Sequence, residues 1–348
     1  MCGLMDRRGQ LCSECIDGFG PALTSIGYIC SNCTDVWYGV PLYLVIDLVP
    51  LTFLYFVILI FQINVTSAPV TGFIMYSQLI LFDVRYERRP PMGRLIYQIW
   101  GPMLTILNAV YGLVNLELIR PILPPFCVSS KLRFVHISVL EYLPAFYPLF
   151  LILLIWVCIK LHGRNCRVLV LAWKPLHKCF FYIRKGWSTK TDLIGVFATF
   201  ILLSYSKILF QSFLLIGCET HYIFNEGNFS SVSTTRYDPS DSCKSGSHIA
   251  VAFFATLVLC AFNIIPTMLL VLYPVKIFRA CLSRCKLNGI AVTAFVEKYH
   301  SCYRDGLDGG RDMRSFAGLF FLIRVFTCFL HPSVSSHLLC GSSTLWSS

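Results

Sequence analysis

The sequence predicts an all-α polytopic membrane protein with about six transmembrane helices, a re-entrant or interfacial helix, and a short Cys-rich extracellular N-terminal module. Three observations predict it. Of 348 residues, 56% are hydrophobic and 14% charged, with mean hydropathy +0.66, whereas a soluble domain carries roughly a quarter charged residues. Several apolar runs exceed the roughly 18 residues that an α-helix needs to cross a hydrocarbon core about 30 Å thick. The Lys and Arg residues concentrate between those runs. Three regions are expected: 1–37, the EGF-like Cys-rich module; 38–330, the transmembrane domain; and 331–348, an irregular and truncated tail.

The expected spans are Tyr38–Ile63, Leu95–Leu116, Leu140–Ile159, Leu193–Ile216, Ile249–Tyr273 and the shorter Phe316–Leu330. Between the first two, Val70–Phe82 is apolar for only 13 residues, which suits a re-entrant or interfacial helix. Basic residues are retained on the cytoplasmic side. Lys160–Lys190 holds eight Lys or Arg and no acid, and Pro274–Ser315 holds eight against four acids, so both belong inside. Arg85, Arg88, Arg89 and Arg94 place their loop there too. Six spans satisfy all three loops and leave the N-terminus, the loop around Cys127 and residues 217–248 outside, at the plasma membrane.

On that map Asn32 and Asn228 are glycosylation sequons on the outer side, and the sequon at Asn64 falls inside and stays bare. The net charge of +11 does not indicate nucleic acid, because a nucleic-acid reader presents its basic face on a soluble fold. Met1 is followed by a polar, Cys-rich stretch, so no signal peptide is visible. The true N-terminus is therefore expected upstream, or the first span serves as the targeting signal.

Cys2, Cys12, Cys15, Cys30 and Cys33 form the N-terminal module, and with Cys127, Cys218 and Cys243 they make eight outer cysteines. A short segment without a core in an oxidising compartment needs disulfides. Cys218 and Cys243 flank one acidic loop and form the candidate disulfide. The pairs Cys12-x-x-Cys15 and Cys30-x-x-Cys33 also have a spacing close to that of a four-thiolate zinc ribbon. The outer location favours disulfides over that alternative, and no metal or cofactor is expected. On the inner side, Cys281 and Cys285 lie beside Arg279, Arg284 and Lys286, a juxtamembrane setting read either as palmitoylation sites or as unmodified small residues.

Several stretches resemble a group of uncharacterised invertebrate multipass membrane proteins. They are Gly112-Leu-Val-Asn-Leu-Glu-Leu-Ile-Arg-Pro through Cys127, Glu141-Tyr-Leu-Pro-Ala-Phe-Tyr-Pro-Leu, and Lys160-Leu-His-Gly-Arg-Asn-Cys through Cys179. Phe197-Ala-Thr-Phe-Ile-Leu-Leu-Ser-Tyr-Ser-Lys-Ile-Leu and Phe295-Val-Glu-Lys-Tyr through Asp312 complete the set. In that group, extracellular β-helix-like and Cys-rich repeats precede a C-terminal membrane domain. The resemblance implies an ectodomain upstream, with Cys2 to Cys33 as its last module. It implies an architecture and no activity.

A charge in hydrocarbon is costly unless it is paired or faces water, so intramembrane polar residues mark candidate sites. Asp47 and Lys207 each lie nine residues from the outer end of a span, roughly 14 Å deep. They are expected to pair, with Glu141 or a backbone carbonyl as substitute partners. Asn263 and Arg324, with the helix-breaking Pro266, share a second depth and read either as packing or as a polar cavity. Asp305-Gly-Leu-Asp308-Gly-Gly-Arg-Asp312 lacks the closing Glu of a calcium loop and reads as a solvated turn.

No His-Glu-x-x-His, phosphate-binding loop or Gly-x-Ser-x-Gly elbow occurs, so enzyme chemistry is not expected. Two functions remain. The first is a cell-surface receptor or adhesion-type protein, contacting membrane lipids and an extracellular ligand or neighbouring cell. The second is a channel or transporter with a polar path through Asp47, Lys207, Asn263 and Arg324. The sequence favours the first, because no paired broken helices mark a transporter.

Overall fold

The computed structural model describes residues 7–8, 14–21, 30–33, 39–61, 133–162, 189–225, 228–238, 240–243, 245–284, 290–300 and 317–327, with isolated positions at 70, 73, 74, 77, 112, 116 and 127. These residues are mostly helical. Among the described residues, four helical stretches are long and apolar enough to cross a membrane, Pro41–Phe61, Phe134–Val157, Ile194–Ile216 and Gly246–Leu272, and a shorter one covers Ala317–Thr327. The expected Leu95–Leu116 span and most of Val70–Phe82 lie outside the described residues. Ile74 and Leu116, two isolated points within those segments, are buried in the same core as the helices.

In chain order, α1 is Gly39–Phe61, α2 is Phe134–Leu140 and α3 is Leu143–His162. The break between α2 and α3 falls where Pro144 has no amide to offer the Leu140 carbonyl. α4 is Thr189–Ile216. α5, Gly246–Leu259, passes through a π-helical turn at Cys260–Ile264 into α6, Ile265–Leu272. Pro266 explains that turn, since its missing N–H frees the carbonyl one turn earlier. Pro274 ends α6 before α7, Lys276–Arg284, which is followed by α8, Ile290–His300. α9 is Ala317–Thr327.

α4 is the central helix, with 78% of its apolar window buried against 22–33% for the other three. Those three turn one apolar stripe inward and another outward. On α1, Tyr43, Leu51, Tyr55 and Leu59 are buried while Leu42, Val45, Val49 and Phe53 are exposed. Exposed apolar stripes of that size on several helices are the pattern of lipid-facing surface.

The four-helix packing has a definite direction. α1 and α2–α3 run parallel, because two contacts follow in the same order along both: Cys33–Cys127 just ahead of their starts, then Thr52–Tyr147, each thirteen residues past the start of its helical stretch. α4 runs antiparallel to both: Ser138 and Glu141 meet Gln211 and Lys207, and the Tyr55 ring lies 5.8 Å from that of Phe200. One end of the bundle therefore gathers the starts of α1, α2 and α5 with the finish of α4.

That end also carries every described strand. β1 (Arg7–Arg8) pairs with β2 (Glu14–Cys15), and β3 (Phe19–Pro21) with β4 (Cys30–Asn32). β5 (Cys218–Asn225) and β6 (Asn228–Thr235) form an antiparallel hairpin in register from Cys218↔Thr235 to Asn225↔Asn228. The hairpin gives strand structure to residues 217–248, which were expected as a loop. Its cause is local, since both strands are rich in Thr, Val, Ile and aromatic residues, and the register leaves only Glu226 and Gly227 between them.

Candidate functional site

The buried polar groups around α4 form interhelical clamps built on a repeated pattern. Thr52 Oγ1 donates to Leu48 O in its own helix (2.7 Å) and accepts from Tyr147 OH (2.8 Å). Ser212 Oγ donates to Ile208 O (2.7 Å) and accepts from Tyr142 OH (2.8 Å). Thr267 Oγ1 donates to Asn263 O (2.7 Å) and accepts from Tyr205 OH (2.7 Å). Each hydroxyl has one proton, so giving it to a carbonyl one turn back fixes the tyrosine as donor. The three clamps join α1 to α3, the α2–α3 break to α4, and α4 to α6.

Lys207 forms an ion pair with Glu141, Nζ to Oε2 3.0 Å. Asp47, the partner expected from depth alone, is buried on α1. Glu141 sits in the turn between α2 and α3, where the helix break brings it opposite α4. One turn along α4, Gln211 Nε2 donates to Ser138 O at 2.8 Å. The C-terminal half of α4 is thus bound to α2 and the α2–α3 break through three polar contacts.

The expected grouping of Asn263 with Arg324 takes the form of a shared neighbour. Asn263 Nδ2 donates to Tyr205 O at 2.9 Å. The Arg324 guanidinium stands 5.5 Å from the Tyr205 ring centre and 5.7 Å from that of Phe321. Arg324 has no exposed surface, so it does not snorkel to headgroups, and the aromatic faces supply a cation–π environment. α9 reaches this position because Gly318 lets it approach the Val271 backbone, where an added Cβ would stand 2.7 Å from N and 2.8 Å from Cα.

α8 closes the opposite end. His300 Nε2 lies 3.0 Å from Leu270 O, the carbonyl that Pro274 deprives of a helical donor. A carbonyl can only accept, so this nitrogen carries the proton. Tyr299 OH donates to Ala198 O.

At the strand-bearing end the cysteines pair as Cys15–Cys30, Cys33–Cys127 and Cys218–Cys243, with Cα separations of 5.6, 4.9 and 5.9 Å. The zinc-ribbon alternative gives way here, because Cys33 joins a cysteine 94 residues away rather than a shared metal set. Cys2 and Cys12 lie outside the described residues. His248 Nε2 lies 3.5 Å from Cys218 Sγ and its Nδ1 3.4 Å from Tyr237 OH. Cys218, Cys243 and His248 bring their donor atoms within 4.8 Å of one another, but sulfurs joined as a disulfide are not thiolate ligands. Beside them Asp238 accepts from Ser240 N (3.0 Å) and Ser240 Oγ (2.6 Å). Burial raises its carboxyl above the usual range. Asn32 is exposed on β4 and Asn228 begins β6.

No protein-family model, curated protein or solved structure matches this chain. Glu141 was foreseen only as a substitute partner, and Tyr142, Tyr205, Thr267 and His300 were not singled out by sequence reasoning. The only signal for them was hydroxyl and tyrosine side chains recurring at apolar helix positions, together with Pro144, Pro266 and Pro274.

Proposed function

We propose that this chain is a plasma-membrane protein of six spans that acts as a cell-surface receptor or adhesion-type protein, with its disulfide-bearing end outside the cell. The observation that carries this reading is the separation of the molecule into two parts. The bundle interior spends its polar groups on holding helices together, as the three tyrosine clamps and the Glu141–Lys207 pair illustrate. The strands and all three described disulfides collect at one end. A stapled platform on a rigid bundle suits recognition of another surface.

The parallel run of α1 and α2–α3 supports six spans. Two parallel neighbours need an odd number of crossings in the chain between them, and Leu95–Leu116 supplies one. The Lys- and Arg-rich segments 160–190 and 274–315 then adjoin the end opposite the disulfides, as retention of basic residues inside requires.

The competing reading is a channel or transporter through Asp47, Lys207, Asn263 and Arg324. Whole-cell recording from cells displaying the protein, paired with a cell-aggregation assay, separates the two. The receptor or adhesion reading predicts aggregation or ligand capture, with currents equal to those of control cells. Currents abolished by Lys207→Leu at unchanged surface expression would favour the channel.

A further inference from the structure

We infer that α7, Lys276–Arg284, is a binding surface for anionic phospholipid, lying along the cytoplasmic leaflet beside the end of the Gly246–Leu272 span. The inference rests on the membrane reading above and adds a ligand class to it. α7 has nine residues and none of them is buried. At about 100° per residue, Ile277, Phe278, Cys281 and Leu282 occupy one arc, and Lys276, Arg279 and Ser283 the opposite one.

The structure divides the apolar arc further. Phe278 is half-buried, and Leu282 packs against the main core. Ile277 is 81% exposed and Cys281 is an exposed free thiol. Val275, just ahead of the helix, is 45% exposed. The helix therefore leans on the bundle with one flank and leaves a second apolar flank uncovered.

Two observations identify what covers that flank. One is position: α7 begins four residues after Leu272, the last residue of a stretch long and apolar enough to cross a membrane. An apolar flank at that depth meets the boundary between acyl chains and headgroups. The other is charge. Lys276, Arg279 and Arg284 are all exposed and α7 contains no acid, so the helix complements the negative cytoplasmic leaflet. Each such residue strengthens attraction to an anionic surface about fivefold, so the three together are worth roughly a hundredfold.

Hydrogen–deuterium exchange on the full chain in lipid vesicles tests this directly. In vesicles containing phosphatidylserine, amides of 276–284 are expected to exchange more slowly than in pure phosphatidylcholine. Adding inorganic phosphate to the phosphatidylcholine sample should not reproduce the effect. The triple variant K276A/R279A/R284A should lose the difference, while the spans keep their wild-type protection and so report an intact fold. Equal exchange of 276–284 in the two wild-type samples would overturn the proposal, as would persistence of the difference in the triple variant or its reproduction by phosphate. Failure of the membrane reading would look different, because amides of Gly246–Leu272 would then exchange rapidly in both kinds of vesicle.

Discussion

Thr52 Oγ1 and Tyr147 OH lie 2.8 Å apart, at equal distances along two parallel helical stretches. This contact fixes the register of α1 against α3, and the equal depth follows from a common starting level. Interhelical hydrogen bonds in bilayers contribute about 0.6 kcal/mol on average, with a maximum near 1.7. Tyr147→Phe is therefore expected to lower stability by about that much. Thr52→Val added to it should cost little more, because the pair has already been broken. A double-mutant cycle read by thermal unfolding in detergent checks this, and strictly additive losses would show that the two side chains do not interact.

Glu141 and Lys207 form a buried pair, so their substitutions should be asymmetric. Lys207→Met alone removes the cation facing the carboxylate, at a cost of up to about 3–5 kcal/mol, whereas replacing both partners with apolar groups is often neutral. Glu141→Leu combined with Lys207→Met should thus recover most of the stability lost by Lys207→Met. Recovery of surface expression or of the unfolding midpoint provides the readout. A double variant as unstable as Lys207→Met would mean that Lys207 has another essential partner.

Gly318 is required where α9 crosses α6. An added side chain there meets Val271 Cγ2 and also the Val271 backbone, which cannot swing aside. Gly318→Val is expected to destabilise by about 1–3 kcal/mol through overpacking and to displace Arg324 from the Tyr205 and Phe321 rings. Gly246 has open space around its Cβ position, so Gly246→Ala serves as the tolerated control. Comparing the two unfolding midpoints tests the contrast.

The apolar helices were legible in the sequence because length and hydropathy alone define them, and the Cys218–Cys243 bridge because both residues flank one loop. Partner choice was not. Depth arithmetic placed Asp47 and Lys207 at one level but carries no information about which helices are neighbours around α4. Lys207 pairs with Glu141, which the sequence offered only as a substitute partner, because Pro144 breaks the helix beside it. The Cys33–Cys127 bridge was hidden for the same reason, since sequence separation says nothing about two parallel helices starting side by side. The β5–β6 hairpin lies in a segment whose charge and sequons read as an outer loop, although its β-branched residues and Gly227 carry the strand and turn signal.

The central claim is orientation, with the disulfide-bearing end outside and the basic end inside. Asn228, at the start of β6, and Asn64, three residues past the end of α1, carry sequons assigned to opposite sides. The decisive measurement compares gel mobility of the wild type, Asn228→Gln and Asn64→Gln before and after glycosidase. The account predicts that Asn228→Gln removes a glycan and Asn64→Gln changes nothing. Loss of glycan from Asn64→Gln with none from Asn228→Gln would contradict it, placing the three disulfides in the cytosol and the basic segments outside.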